Sequence, residues 1–159
     1  MSISATVLQR LETQGFVHVD PAELDQLQPW LRFTYALCAI STGTATALAS
    51  PAVMYVVAVI ALLGGIFPVH PFDVLYNVLV RPFTRTKSLP RNGTPKRAAC
   101  LMGGVWLAAT GWLFSEGYLT TGYVLGGAFT LIAVIAAATH FCIPSTMYCA
   151  IFGRPTRTA

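Results

Sequence analysis

The sequence predicts an all-α membrane protein: four transmembrane helices with a short cytoplasmic interfacial helix between spans two and three. Three observations carry this prediction. Only 10% of the 159 residues are charged and 55% are hydrophobic, against about 25% charged in a soluble domain. No residue from Phe33 to Phe67 carries a charge. The basic residues fall in three segments that alternate with paired apolar blocks. A mean hydropathy of +0.62 agrees, because a single soluble core of this size cannot hide so much apolar surface. Soluble enzymes and disordered tails are excluded on these grounds. The net charge of +4 does not make a nucleic-acid binder, which needs its Lys and Arg spread over a folded polar surface. Four cysteines without CxxC pairing make no disulfide framework.

Residues 1–32 read as a cytoplasmic amphipathic segment and not as a leader, since no apolar run precedes Phe33. Val7, Leu8 and Leu11 share one face of a helix over Ser4–Leu11, which either lies on a membrane or partner or frays. Asp20-Pro21-Ala22-Glu23 supplies a capping residue, a proline at the first helical position and a carboxylate at the third. It starts a short helix over Pro21–Leu27 that leads into span one.

The uncharged stretch from Phe33 to Phe67 is about 50 Å long as one helix, too long for a hydrocarbon core of about 30 Å. It turns at Ala49-Ser50-Pro51, because proline cannot continue the helix behind it. Spans one and two therefore cover 33–49 and 51–67. Each is short, and a hairpin that crosses only partly stays open as an alternative. Spans three and four cover 98–114 and 123–141, and residues 153–159 form a cytoplasmic tail. The whole transmembrane domain is 33–152. Trp30, Trp112, Tyr118 and Tyr123 fall near span ends, where amphipathic rings favour the interface. Trp106 lies inside its block and reads as helix packing.

Orientation follows from charge. Arg10 and Arg32 precede span one; Arg81, Arg85, Lys87, Arg91, Lys96 and Arg97 lie between spans two and three; Arg154 and Arg157 follow span four. An even number of spans puts all of them on one side, which the positive-inside rule makes cytoplasmic, with both termini.

Between Pro71 and Pro82, the residues Phe72, Leu75, Tyr76, Leu79 and Val80 are spaced for a short interfacial helix whose apolar face meets the acyl boundary or the bundle. The interfacial helix and basic loop together span 71–97. Arg81, Arg85, Lys87, Arg91, Lys96 and Arg97 form a candidate surface for anionic lipid headgroups or a partner, each charge worth about 1 kcal/mol near such a surface. The alternative is that they set topology alone. His70, three residues before Asp73 and directly before Pro71, reads as a helix cap or an interfacial hydrogen-bond donor and not as a ligand.

Small residues recur at four-residue spacing: Ala39, Gly43 and Ala47; Cys100, Gly104 and Ala108; Gly122 and Gly126. Such stripes let helix backbones approach, within one bundle or against another subunit, and internal packing is the favoured reading. The hydroxyls of Ser41, Thr42, Thr44, Thr46, Thr110 and Thr130 read as bonds back to their own or neighbouring helices. No Asp, Glu, Lys or Arg lies inside the predicted spans, which argues against ion-coupled transport and acid-base catalysis in the bilayer. His70, Cys100, His140, Cys142 and Cys149 fall at similar depth, but without metal-ligand spacing. If the helix continues past Pro144 without a break, Cys142 and Cys149 are two helical turns apart, about 10 Å, beyond disulfide reach.

HPFDVLYN (His70 to Asn77), Leu89-Pro90 leading into RAAC (Arg97 to Cys100), the Gly-Gly-x-Trp of span three and FCIPSTMY (Phe141 to Tyr148) resemble one family over about Leu31 to Phe152. It is the bacterial integral-membrane family called domain of unknown function 4395. The resemblance implies a four-helix membrane domain in the bacterial inner membrane. Family members often close span four with a C-x-x-C-like pair, which implies a link to thiol or sulfur chemistry. Here Ser145 stands at the second position, leaving a monothiol Cys142, with Ser145 one turn on as hydrogen-bond donor and His140 or His70 as assisting base.

The leading expectation is a non-enzymatic accessory or stabilising subunit of a larger inner-membrane complex. It would take no cofactor, and its partners would be the bilayer and a membrane protein or a second copy of itself. The alternative is a thiol-redox or sulfur-relay protein acting through Cys142. A small-solute carrier is weaker, because no broken-helix site with converging polar groups is visible.

Overall fold

The computed structural model describes residues 3–84 and 86–155. All regular structure among them is helical: α1 (Ala5–Thr13), α2 (Pro21–Ala47), α3 (Pro51–Ile66), α4 (Pro71–Leu75), a π-helical turn (Tyr76–Val80), α5 (Arg81–Thr84), α6 (Thr94–Ser115), α7 (Leu119–Thr139) and α8 (Ile143–Phe152). Among the described residues, α6 and α7 are long and apolar enough to cross a membrane. A third candidate exists only if α3 and the segment from Pro71 to Thr84, bent by 91°, count as one broken span. Two to three candidate spans thus stand where four are expected: α3 is short, and only the C-terminal half of α2 is free of charge.

Local chemistry explains most boundaries. Asp20 caps α2 by accepting from the Ala22 N–H at 2.7 Å, with Pro21 at the first position. The expected Pro21–Leu27 helix and span one are a single helix that runs through Pro29. An interior proline costs about 3 kcal/mol, and burial of Leu24, Leu27 and Leu31 around it offsets that. The expected turn follows: Ala49 takes a positive φ of 44°, Ser50 Oγ accepts from the Val53 N–H at 3.4 Å and Pro51 opens α3.

The interfacial segment departs from expectation at its end. Pro82 lacks an N–H, and its ring would clash with the carbonyl of Val78 in an α-helix. The chain inserts a π turn, in which the Arg81 N–H bonds to the Tyr76 carbonyl, and so passes Pro82 into α5. Of the expected apolar face only Tyr76 is fully buried, against Trp30 and Phe33 at ring separations of 5.4 and 5.5 Å. Leu75, Leu79 and Phe83 face outward.

Span four also ends earlier than expected. Pro144 cannot donate to the carbonyl of His140, so α7 stops at Thr139 and α8 starts afresh after Cys142. His140 turns the corner at a left-handed φ of 57°, and its free carbonyl accepts from Gln14 Nε2 at 2.6 Å.

Two long pairs make the bundle: α3 lies along α6 and α2 along α7. The small residues are used here. A Cβ on Gly104 would come within 2.6 Å of Leu62, and one on Gly122 within 2.5 Å of Phe114. Gly126 abuts Thr46, while Gly43 faces Thr130. Ala39 is buried, and Ala108 packs on the core formed by Met54, Val57, Ala58, Leu107 and Phe114. Ala47 is exposed, contrary to its place in the stripe: α2 ends there, and Thr46 occupies the face against α7. Trp106 Nε1 donates to the Leu125 carbonyl at 3.2 Å, tying α6 to α7. Thr110 and Thr130 bond back to the carbonyls of Trp106 and Gly126.

The N-terminal segment lies on its own chain. Leu11 and Phe16 are buried with Leu24, Leu31, Tyr76 and Leu89, and Val7 and Leu8 pack beside them. Gly15, at φ 96°, crosses Gly93 so closely that a Cβ there would lie 2.7 Å from the Gly93 Cα. Only glycine on both strands of that crossing permits it.

Candidate functional site

Where the N-terminal segment, α4 and the start of α6 meet, a charged pair is buried. Lys96 Nζ lies 3.9 Å from Asp73 Oδ2, and the two residues are 2% and 3% exposed. Thr34 donates a short hydrogen bond to Asp73 Oδ1, and Asn92 Nδ2 donates to Oδ2 at 3.1 Å. The ammonium also sits over the rings of Phe16 and Tyr35, at 5.3 and 5.5 Å, a favourable contact when desolvated. Asp73 thereby ties α4 to α2, to the loop before α6 and to α6 itself.

Burial by itself would raise the Asp73 carboxyl. Lys96, the Thr34 hydroxyl, His70 and Asn92 outweigh it and hold the group below the usual carboxylate range. His70 caps α4, its Nδ1 accepting from the Phe72 N–H at 3.2 Å. Burial, then Lys96, push its imidazole down to about 4, with Asp73 opposing. The neutral ring suits the cap, because Nδ1 must keep its lone pair. His70 also packs on Gly64, where a Cβ would overlap the ring.

A second polar cluster adjoins the first through Tyr35, whose hydroxyl donates to Gln14 Oε1 at 2.8 Å and neighbours the Cys142 thiol. Arg32 Nε donates to His140 Nε2 at 2.8 Å, and an Arg10 Nη donates to the Thr139 carbonyl at 2.7 Å. The arginine beside Nε2 assigns the imidazole proton to Nδ1, and that buried nitrogen has no partner among the described residues. Beside it is a cavity of about 310 Å³ between α1 and α8, lined among others by Arg10, Gln14, His140, Cys142, Cys149 and Arg154.

Cys142 is the N-cap residue of α8 and is 7% exposed. Cys149 is two turns along the same helix, its thiol facing the Thr13 carbonyl at 3.3 Å. Burial pushes that thiol up, with Arg154 opposing. The continuous α8 leaves both cysteines free, as the spacing predicts. Ser145, expected to assist Cys142, is buried and donates to the Pro95 carbonyl at 3.3 Å. Among the described residues, no three His, Cys, Asp or Glu side chains converge to hold a metal ion.

The basic cluster of the loop disperses. Lys96, assigned to a lipid or partner surface, is buried against Asp73; a charge next to an apolar helix start is drawn inward when a carboxylate meets it there. Arg97 turns back to the end of α3, donating to the Gly65 and Ile66 carbonyls at 3.0 and 2.6 Å. Lys87 pairs at the surface with Glu23 at 3.4 Å, Arg81 donates to the Thr86 carbonyl at 3.3 Å and Arg91 is exposed. Arg85 and Arg157 lie outside the described residues.

Sequence reasoning missed Asp73, Thr34, Asn92 and Gln14 as site residues. One signal was available: Asp73 is the only acid between Asp25 and Glu116. Arg10 and Arg32 entered only as markers of topology.

A family model described as a domain of unknown function (DUF4395) matches residues 28–152. The chain belongs to that family. The DUF4395 match takes in Asp73, Lys96, His140, Cys142 and Cys149, while α1, Gln14 and Arg154 lie outside it. No curated protein and no solved structure matches the chain.

Proposed function

We propose that this DUF4395 protein is a multi-pass protein of the bacterial inner membrane that offers Cys142 as a single working thiol on the cytoplasmic side. The chain would cross four times, with the apolar half of α2 and with α3, α6 and α7. Both termini and the basic loop would then be cytoplasmic, in line with the positive-inside rule. The observation that carries the thiol reading is placement: Cys142 and Cys149 share a cavity with Arg10, His140 and Arg154. Cys142 stands at the N-terminus of α8 on the wall of that cavity, where Arg10 and Arg154 can meet a charged partner. With Ser145 turned to Pro95 and Cys149 two turns away, Cys142 acts alone: it attacks one sulfur of a disulfide substrate and expels the other as a thiolate, or takes the outer sulfur of a donor persulfide, whose inner sulfur leaves as a thiolate. The test is the rate of alkylation of Cys142 against pH in a variant that retains only that cysteine. A rate already high at neutral pH supports the reading; a rate no faster than that of a free thiol at the same pH defeats it.

The accessory-subunit reading loses one of its motives, because the small-residue stripes are used within the bundle. Its remaining support is the outward apolar surface of α3, α6 and α7, such as Val56, Val105, Val124 and Leu131, which lipid covers equally well. Purification in mild detergents followed by mass measurement separates the two: a stable heteromer favours the subunit role, a lone monomer removes it. The carrier reading gains nothing, since the cavity lies at the end of the bundle and not at its middle.

A further inference from the structure

We propose that the cavity between α1 and α8 is a binding site for a phosphate group, free or as the headgroup of an anionic lipid. Such binding does not require a reactive Cys142. The cavity, about 310 Å³, is lined by two arginines, Arg10 and Arg154, and among the described residues no acidic side chain is in its lining. Thr6 adds a hydroxyl to the same lining, while the Thr13 and Thr146 hydroxyls donate to the Gln9 and Cys142 carbonyls at 2.9 and 3.0 Å. Arg10 is held in place by its bond to the Thr139 carbonyl at 2.7 Å and by the Phe141 ring, 5.7 Å from its guanidinium carbon. One bond to a carbonyl leaves most of the five N–H donors of a guanidinium for a ligand.

The second, independent observation is His140. It is fully buried, it belongs to the cavity lining, and its Nδ1 lacks a partner among the described residues. Because Arg32 donates to Nε2, Nδ1 is a donor, and a buried donor without an acceptor carries a desolvation cost. An oxyanion is the ligand that suits two arginines with a buried imidazole N–H in the cavity wall behind them. Arginine forks match phosphate oxygens in bidentate geometry, and the Thr6 hydroxyl lies in the same lining. Both arginines lie outside the residues that define the family match, 28–152, so the charge of this site belongs to the flanks of this chain.

The experiment uses the full chain purified in a neutral detergent. Its thermal midpoint is followed with inorganic phosphate against chloride at equal ionic strength, and in nanodiscs of phosphatidylcholine with and without phosphatidic acid. The proposal predicts a rise with at least one phosphate probe. A rise with inorganic phosphate identifies a free anion as ligand; a rise with phosphatidic acid alone identifies the headgroup. Arg154→Gln, at an exposed position, should weaken binding about tenfold. Arg10→Gln should do the same, and Arg91→Gln, exposed and outside the cavity lining, should leave the shift unchanged. No rise with either probe, or a full rise in the Arg10→Gln, Arg154→Gln double variant, overturns the proposal.

Discussion

Lys96 and Asp73 form an ion pair at 3.9 Å in which both partners are almost wholly buried. They reach each other from different directions. Lys96 projects from the first turn of α6, and Asp73 from α4, which follows the 91° bend after α3. The pair, with Thr34 and Asn92, ties that bent segment to α2 and α6.

A buried pair is costly to break from one side, because the survivor is left as an unpaired charge. Asp73→Asn or Lys96→Met alone should each destabilise the protein by about 3–5 kcal/mol. The double variant should recover much of that loss. Denaturant unfolding in micelles gives the three values, and additive losses would show that the two residues act separately.

Stability should also fall with pH below neutrality. His70 is pushed down to about 4 and Asp73 lies below the usual carboxylate range. For both groups the unfolded chain binds more protons than the folded one, so stability decreases as pH falls. The His70 contribution is lost between its unperturbed value of about 6.5 and about 4, and that of Asp73 below the usual carboxylate range. His70→Asn keeps a capping acceptor before Pro71 without a titrating ring. It should flatten the thermal midpoint between those two pH values; an unchanged slope would remove His70 from the account.

The crossing of Gly15 over Gly93 makes a third prediction. A Cβ on Gly93 would meet the Gly15 Cα at 2.5 Å, a backbone contact that no rotamer relieves. Gly93→Ala should displace the segment that carries α1 and lower stability by about 1–3 kcal/mol. Limited proteolysis before Pro21 reads the displacement directly, and an unchanged cleavage pattern would contradict it.

What was legible in the sequence was whatever one residue decides through its own backbone. Ser50-Pro51 marked a turn, Asp20-Pro21 a helix start, and His70 before Pro71 a cap; each is where the sequence places it. The π turn at Tyr76–Val80 and the break before α8 were not read, although Pro82 and Pro144 cause them, because a proline states where a bond is missing and not how the chain recovers. The buried cluster was hidden for a different reason. Lys96 sits among loop charges in sequence, and only packing shows that Asp73, 23 positions earlier, meets it inside. Arg10 and His140 lie 130 positions apart, and no periodicity connects them.

The central claim, a cytoplasmic Cys142 thiol beside arginines, is tested most directly in membrane vesicles. A variant retaining Cys142 as its single cysteine is exposed to a membrane-impermeant, negatively charged methanethiosulfonate reagent, in inverted and in right-side-out vesicles. Labelling in inverted vesicles alone, and faster than by a positively charged reagent of similar size, is the predicted result. Labelling from the outer face, or no labelling from either side in protein shown to be folded, would contradict it.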